Sequence, residues 1–288
     1  MPIPNLTIIG ESINDSVPST NKLFEASDLA GLKELAAAQD AGGAGYIDVN
    51  VGPRSAAFLA DMVRHVQSVT VKPLSIDTPD PAMAESGLKA YDRARAGGRI
   101  PVLNSISQAR LEMFGLVRIL PFMPILLASE RVENGVGQPN NTAAEVHATA
   151  RQLVAEAAKH GIPVSQCIID PAISPIGADS EGRFHCLMGA IRLIHDDPAL
   201  RGVHMSVGLS NFSVMLPTKR ADGSPTKGPL ESAFLTLAVP LGMDHVIGSV
   251  KRKYELLPPE HPALRCLNDC LTLEGFDVIM RVQEYYSS

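Results

Sequence analysis

The chain has 288 residues, 45% hydrophobic and 19% charged, with 31 acidic and 25 basic side chains and a formal charge of −6. That balance describes a globular chain able to bury most of its apolar surface, and it excludes a disordered polymer. The acidic excess argues against general binding to nucleic acid or anionic membranes, and the absence of tryptophan removes the best base-stacking platform. In chain order, MPIPNLTIIGESIND lacks the basic start and long apolar run of a signal peptide. Eight short apolar strands are predicted: LTIIGES from Leu6, YIDVNVG from Tyr46, PLSID from Pro73, IPVLNS from Ile100, MPILLAS from Met123, CIIDP from Cys167, HMSVGLS from His204 and HVIGS from His245. Their apolar runs are continuous rather than alternating, as expected of parallel strands buried on both faces.

Helical patterns lie between the strands. LAGLKELAAAQDAGG stops at Gly42-Gly43, a C-terminal capping signal. SAAFLADMVRHVQSV repeats its apolar residues at helical spacing. NTAAEVHATARQLVAEAAKHG opens on Thr142 with Glu145 three residues later, a capping box, and closes on Gly161. Eight strand-helix units at about 36 residues each predict one (β/α)8 TIM barrel over residues 1–288. A doubly wound sheet fits less well, because no G-x-G-x-x-G follows the first strand. The irregular stretches RVENGVGQPNN, ISPIGADSEGR and MLPTKRADGSPTKG then fall on the C-terminal face, where barrel active sites are built. No window of about 20 apolar residues predicts a membrane span. Four scattered cysteines, Cys167, Cys186, Cys266 and Cys270, suit a reduced, cytoplasmic setting. Cys266 and Cys270 would share a helix face, and without a second Cys/His pair they read as packing.

The polar residues at the strand ends carry the functional signal. The first strand supplies Glu11, with Asn14 just beyond. The second supplies Asp48 and Asn50, the third Asp77, the fourth Asn104, the sixth Asp170 and the seventh Asn211. Any one of them could simply cap the next helix. Together they would line one barrel mouth with carboxylates and carboxamides. Almost no Lys, Arg or His joins them, so phosphate is not the obvious target. The carboxylates suit Mg²⁺, whereas Asn104 and Asn211 suit a flat heterocycle with several N–H and C=O groups. Asp170 suits the paired N–H groups of a guanidine-like edge, such as a pterin presents.

The segments IIGESIN, YIDVNVGP, LSIDT, VLNSIS, IIDPAISP, VGLSNFS and LGMDHVI fall in the order found in methyltetrahydrofolate:corrinoid protein methyltransferases. The chain resembles that group from Ile8 to about Ile247, within the pterin-binding barrels that include dihydropteroate synthase and the folate module of cobalamin-dependent methionine synthase. The resemblance implies a homodimeric TIM barrel that binds tetrahydrofolate or 5-methyltetrahydrofolate. It also implies methyl exchange with the cobalt of a corrinoid (cobalamin) carried by a partner protein, with no metal bound in this chain. By the same resemblance, Asp77, Asn104 and Asp170 hydrogen-bond the pterin, and Asn211, in the GLSN segment with Gly208 and Ser210, lies beside N5. Glu11 and Asn14 belong to the first-strand motif.

Two segments depart from that pattern. The stretch after GLSN is longer and differently charged, and Lys219, Arg220 or Lys227 could meet a folate tail or a corrinoid protein; a solvated loop is the commoner use of such residues. GSVKRK, after the last strand, is more basic than the pattern implies. Three rivals remain on the residues alone. Dihydropteroate synthase needs a cationic site for departing pyrophosphate. A zinc-dependent thiol methyltransferase needs a fuller His/Cys ligand set. The third is a folate-binding module without turnover.

Overall fold

The structure, a computed structural model, describes residues 3–288; Met1 and Pro2 of the N-terminal segment lie outside it. Among the described residues ten strands form: β1 Thr7–Asn14, β2 Tyr46–Asn50, β3 Leu74–Asp77, β4 Val102–Ile106, β5 Met123–Leu127, β6 Glu130–Glu133, β7 Val136–Pro139, β8 Ile168–Asp170, β9 His204–Met205 and β10 His245–Gly248. Eight of them pair in parallel in the order β10-β1-β2-β3-β4-β5-β8-β9. The ends of that order meet through single bridges, Met205 to Met243 and Gly208 to Ile247, which close the sheet into the expected TIM barrel.

Ten α-helices accompany the strands among the described residues: α1 Pro18–Glu25, α2 Leu29–Ala41, α3 Ala56–Gln67, α4 Pro81–Ala90, α5 Ala143–Lys159, α6 Arg183–Asp196, α7 Leu209–Phe212, α8 Lys227–Ala238, α9 Pro262–Cys270 and α10 Phe276–Ser287. Their ends follow from local chemistry. Ser55 caps α3 by accepting from the Phe58 N–H, and Thr142 with Glu145 forms the reciprocal capping box of α5. After α2 the chain turns through Gly43 at φ 88°, where a side chain would be strained. No helix among the described residues is long and apolar enough to cross a membrane.

Three elements differ from the sequence reading. RVENGVGQPNN is not irregular: it contains β6 and β7, an antiparallel hairpin. Its turn, Asn134-Gly135, has φ 52° and 78°, and Asn-Gly is the favoured dipeptide for that geometry. The seventh barrel strand ends at Met205 rather than Ser210, because Leu209–Phe212 winds into α7. Asn211 therefore stands on a helical turn beyond the strand. After β4, residues Gln108–Arg118 form 3₁₀ turns anchored by buried Met113 and Phe114.

The apolar strands conceal an alternation. Ile47, Val49, Leu74, Ile76 and Leu103 belong to the main core beneath the helices. Ile9, Val102, Ile125 and Ile168 form a separate cluster from four different strands, the layer that fills the barrel. Each is fully buried, a contribution of about 1.5–3 kcal/mol per side chain. Two residues further along the same strands stand Glu11, Asn104, Leu127 and Asp170, all at the mouth. The apolar layer is thus the base of the pocket, on which the polar ring rests.

Candidate pterin-binding site

A pocket of about 690 Å³ opens at the C-terminal end of the barrel. Its wall contains Glu11, Asn14, Asp77, Asn104, Asp170, Gly208, Ser210 and Asn211, the eight residues expected at the site. Residues from β1, β3, β4 and β8 meet those of α7 here, although they are spread over some 200 positions of sequence. Asp77 and Asn104 are register partners on adjacent strands.

Each carboxylate is set by its neighbours. Asp77 Oδ2 accepts from Asn50 Nδ2 at 2.9 Å, and Asn50 Oδ1 accepts from the Gly52 N–H at 2.9 Å. Asn50 thus orients Asp77 without lining the pocket. Asp170 Oδ1 accepts from the Ala172 N–H at 2.8 Å, and Ala172 holds φ 68°, an uncommon conformation for a residue with a side chain. Glu11 Oε2 accepts from the Ser210 hydroxyl at 3.1 Å, which ties β1 to α7 one residue before Asn211. Asn14 Oδ1 accepts from the Ser16 N–H at 2.8 Å.

Burial pushes the Asp77 and Asp170 carboxyls up to about 6, and raises Glu11 as well. One layer deeper, Asp48 is fully buried, in register with Ser75. Neither Asp48 oxygen meets the geometry of a hydrogen bond among the described residues. Burial, with Asp77 and Glu11 nearby, raises its carboxyl well above the ordinary range. No Lys, Arg or His lines the pocket among the described residues. Perturbed carboxyls gathered in a cleft without a cation mark a candidate functional site.

The carboxamides of Asn104 and Asn211 have no hydrogen-bond partner among the described residues, and Asn211 is exposed to the mouth. Gly208 permits that placement: a Cβ there would lie 2.9 Å from Asn211 Nδ2. Sequence reasoning missed the apolar rim, where Val17, Leu127, Ile173, Val214 and Ile247 flank the polar ring. It also missed Glu231. This fully buried residue of α8 accepts from the Ser213 hydroxyl and pairs with Arg252 Nη1 at 2.9 Å. Burial pushes its carboxyl up to about 7. It thereby pins the turn that carries Asn211, and Arg252 comes from the unexpectedly basic GSVKRK segment. The available signal was a glutamate alone in the apolar run LESAFLTLA.

The cations after GLSN lie outside the pocket wall. Arg220 stacks over the Tyr285 ring at 4.8 Å and donates to the Tyr285 carbonyl at 2.9 Å, so it fastens α10. Lys227 Nζ donates to the Val214 carbonyl at 3.1 Å, and Lys219 is exposed. Cys266 and Cys270 are buried against α10, facing the carbonyls of Arg281 and Val278.

A search of known proteins agrees with this geometry. Residues 14–248 match the model of the family described as pterin binding enzyme. A curated relative, the methylcorrinoid:tetrahydrofolate methyltransferase of Eubacterium limosum, is 28% identical over 248 residues, covering 84% of each chain. Among solved structures, the 7,8-dihydropteroate synthase of Vibrio fischeri superposes with a TM-score of 0.57 at 13% identity, over 97% of this chain and 92% of that one. The Burkholderia cenocepacia dihydropteroate synthase complexed with 7,8-dihydropteroate gives 0.56 at 16% identity, over 93% and 92%. Those two likenesses speak for the fold alone. With the family match spanning most of the barrel and the polar ring at its mouth, the chain belongs to the pterin-binding enzymes.

Proposed function

We propose that this protein moves a methyl group between N5 of tetrahydrofolate and the cobalt of a corrinoid held by a partner protein. The observation that carries the reading is an unpaired Asn211 carboxamide at a pterin-sized mouth with no cation in its wall. The Eubacterium limosum relative supports it. A dihydropteroate synthase would have to stabilise a departing pyrophosphate, and no Lys or Arg among the described residues lines this mouth.

The folate's pterin edge is a set of N–H donors and ring acceptors. Asp170, oriented by the Ala172 N–H, takes the 2-amino and N3–H groups. Asp77, oriented by Asn50, and Asn104 take the remaining polar edge. These contacts repay the burial that raises both carboxyls, because N–H donors favour the ionised form. The apolar rim of Val17, Leu127 and Val214 covers the ring faces.

The partner's corrinoid supplies the cobalt that takes or gives the methyl group. When the C–N bond breaks, its electron pair stays on N5, which then takes a proton; in the opposite direction N5–H gives one up. Asn211 does not titrate, so it is not a general acid. Its amide N–H donates to N5 more strongly as electron density builds there, and an interaction that strengthens toward the transition state raises the rate. Glu11 and Ser210 hold α7 from the β1 side, and Glu231 with Ser213 holds it from the α8 side. The test is a mixture of this protein, 5-methyltetrahydrofolate and reduced cobalamin, free or on a corrinoid protein, followed by cobalt absorbance. Methylation of cobalt, or demethylation with tetrahydrofolate, is expected; a spectrum unchanged in both directions would contradict the reading.

A further inference from the structure

The opposite end of the barrel carries a second polar cluster that pterin chemistry does not use. His204 begins β9, Asp244 immediately precedes β10, and His245 begins it. His204 Nδ1 lies 2.6 Å from Asp244 Oδ2, and His245 Nδ1 lies 2.8 Å from Asp244 Oδ1. The rings meet edge to face with centroids 4.8 Å apart, and one ligand atom from each residue lies within 4.8 Å of the others. His245 is buried, and His204 and Asp244 are half-buried, so the cluster is shielded yet reachable.

The backbone beneath it is fixed from three strands. The Thr7 N–H donates to the Asp244 carbonyl at 2.8 Å, and the Met205 N–H donates to Asp244 Oδ1 at 3.3 Å. Two imidazoles and one carboxylate are the ligand set of open zinc sites. Here both Nδ1–H groups donate to one carboxylate, so a metal ion bound by the three side chains would take the place of those protons. Zinc bonds of about 2.0–2.2 Å require the N···O gaps to open slightly. The Asp244 side chain, 35% exposed, has room to turn.

The location gives such an ion a purpose. β9 and β10 flank the seam where the barrel closes through single bridges rather than a continuous ladder. We propose that His204, Asp244 and His245 form a divalent transition-metal site of zinc type, which clips this seam on the face opposite the pterin pocket. The site departs from the expectation that no metal binds in this chain. It is independent of methyl transfer.

The experiment strips the full-length chain with a chelator, then titrates Zn²⁺ alone and measures bound metal and melting temperature. One zinc per chain and a raised melting temperature are expected. His204→Gln and His245→Gln should each weaken zinc binding at least tenfold, whereas Cys266→Ser should leave it unchanged. Should the histidine variants fail to fold, Co²⁺ in the unaltered chain decides the matter: nitrogen and oxygen ligation gives visible bands without thiolate charge transfer. No saturable binding, zinc retained in both histidine variants, or a thiolate band would overturn the assignment.

Discussion

The two ends of this barrel use the same residue type in opposite ways. At the mouth, Asp77 and Asp170 are half-buried without a cation beside them, and desolvation pushes both carboxyls up to about 6. At the floor, Asp244 is also partly buried, but hydrogen bonds from His204 and His245 overcome that burial and hold its carboxyl well below the usual range. The difference teaches what each end suits: at the opposite end two imidazoles already converge on the carboxylate, a place a cation can take, whereas the mouth carboxyls face no cation and suit N–H donors.

The sharpest way to break this comparison is at Asn211, the unpaired amide. Asn211→Ala should lower single-turnover methyl transfer by about 100-fold or more, as loss of a transition-state donor does elsewhere at about 2.7–4 kcal/mol, with folate affinity little changed. Stopped-flow cobalt absorbance tests it, and an unaltered rate would remove Asn211 from the mechanism. Next comes Asp170. Asp170→Asn should weaken folate binding by tenfold or more in calorimetry, while the unliganded protein becomes more stable at pH 8. The sign follows from linkage: a carboxyl raised from 3.8 to about 6 favours the fold at low pH, and that advantage is lost as pH rises through 6. Removing the charge should restore on the order of 1–3 kcal/mol at pH 8, read from denaturant melts. For the same reason, wild-type folate affinity should fall as pH drops below about 6, where the carboxyl must shed a proton to bind.

Gly208→Ala should have a smaller effect. The new Cβ would meet Asn211 Nδ2 at 2.9 Å and swing the amide aside, so the rate should drop several-fold to about tenfold with binding retained. The smallest effect belongs to the floor. Hydrogen bonding to Asp244 raises the His204 imidazole, so its stabilisation is full below pH 6.5 and fades as pH rises past the elevated value. His204→Gln in metal-free protein should cost about 1 kcal/mol near pH 6 and less near pH 9. A loss independent of pH would show that charge at the floor does not matter.

Much of this was legible in the chain. Period and capping identified all eight barrel strands, the C-terminal end of α2 and the ends of α5, because those signals are local: Thr142 and Glu145 are three residues apart. The polar ring was legible because residues at the C-terminal ends of barrel strands must share one mouth. Other features were hidden. The Asn134-Gly135 hairpin carries a local turn signal, but its two strands form a separate sheet outside the strand-helix period of the barrel. The end of the seventh strand was placed five residues late, because GLSN winds into α7 under the pull of buried Leu209 and Phe212 on the core. Glu231 looked like an ordinary helix residue until its partners, Ser213 and Arg252, came from two other loops.

The sequence by itself determined the barrel, its strands and the eight residues of the mouth, since alternating strand and helix patterns admit few closed solutions. Tertiary structure alone decided the charge states and the partners. Which carboxyl is orphaned, as Asp48 is, which faces no cation, as Asp170 does, and which is held by two imidazoles, as Asp244 is, depends on burial and on neighbours that no linear spacing encodes. Electrostatics in a protein interior acts through space, over a few ångströms and in a low dielectric. The chain order of Asp244 and His204, 40 residues apart, carries no trace of their 2.6 Å contact.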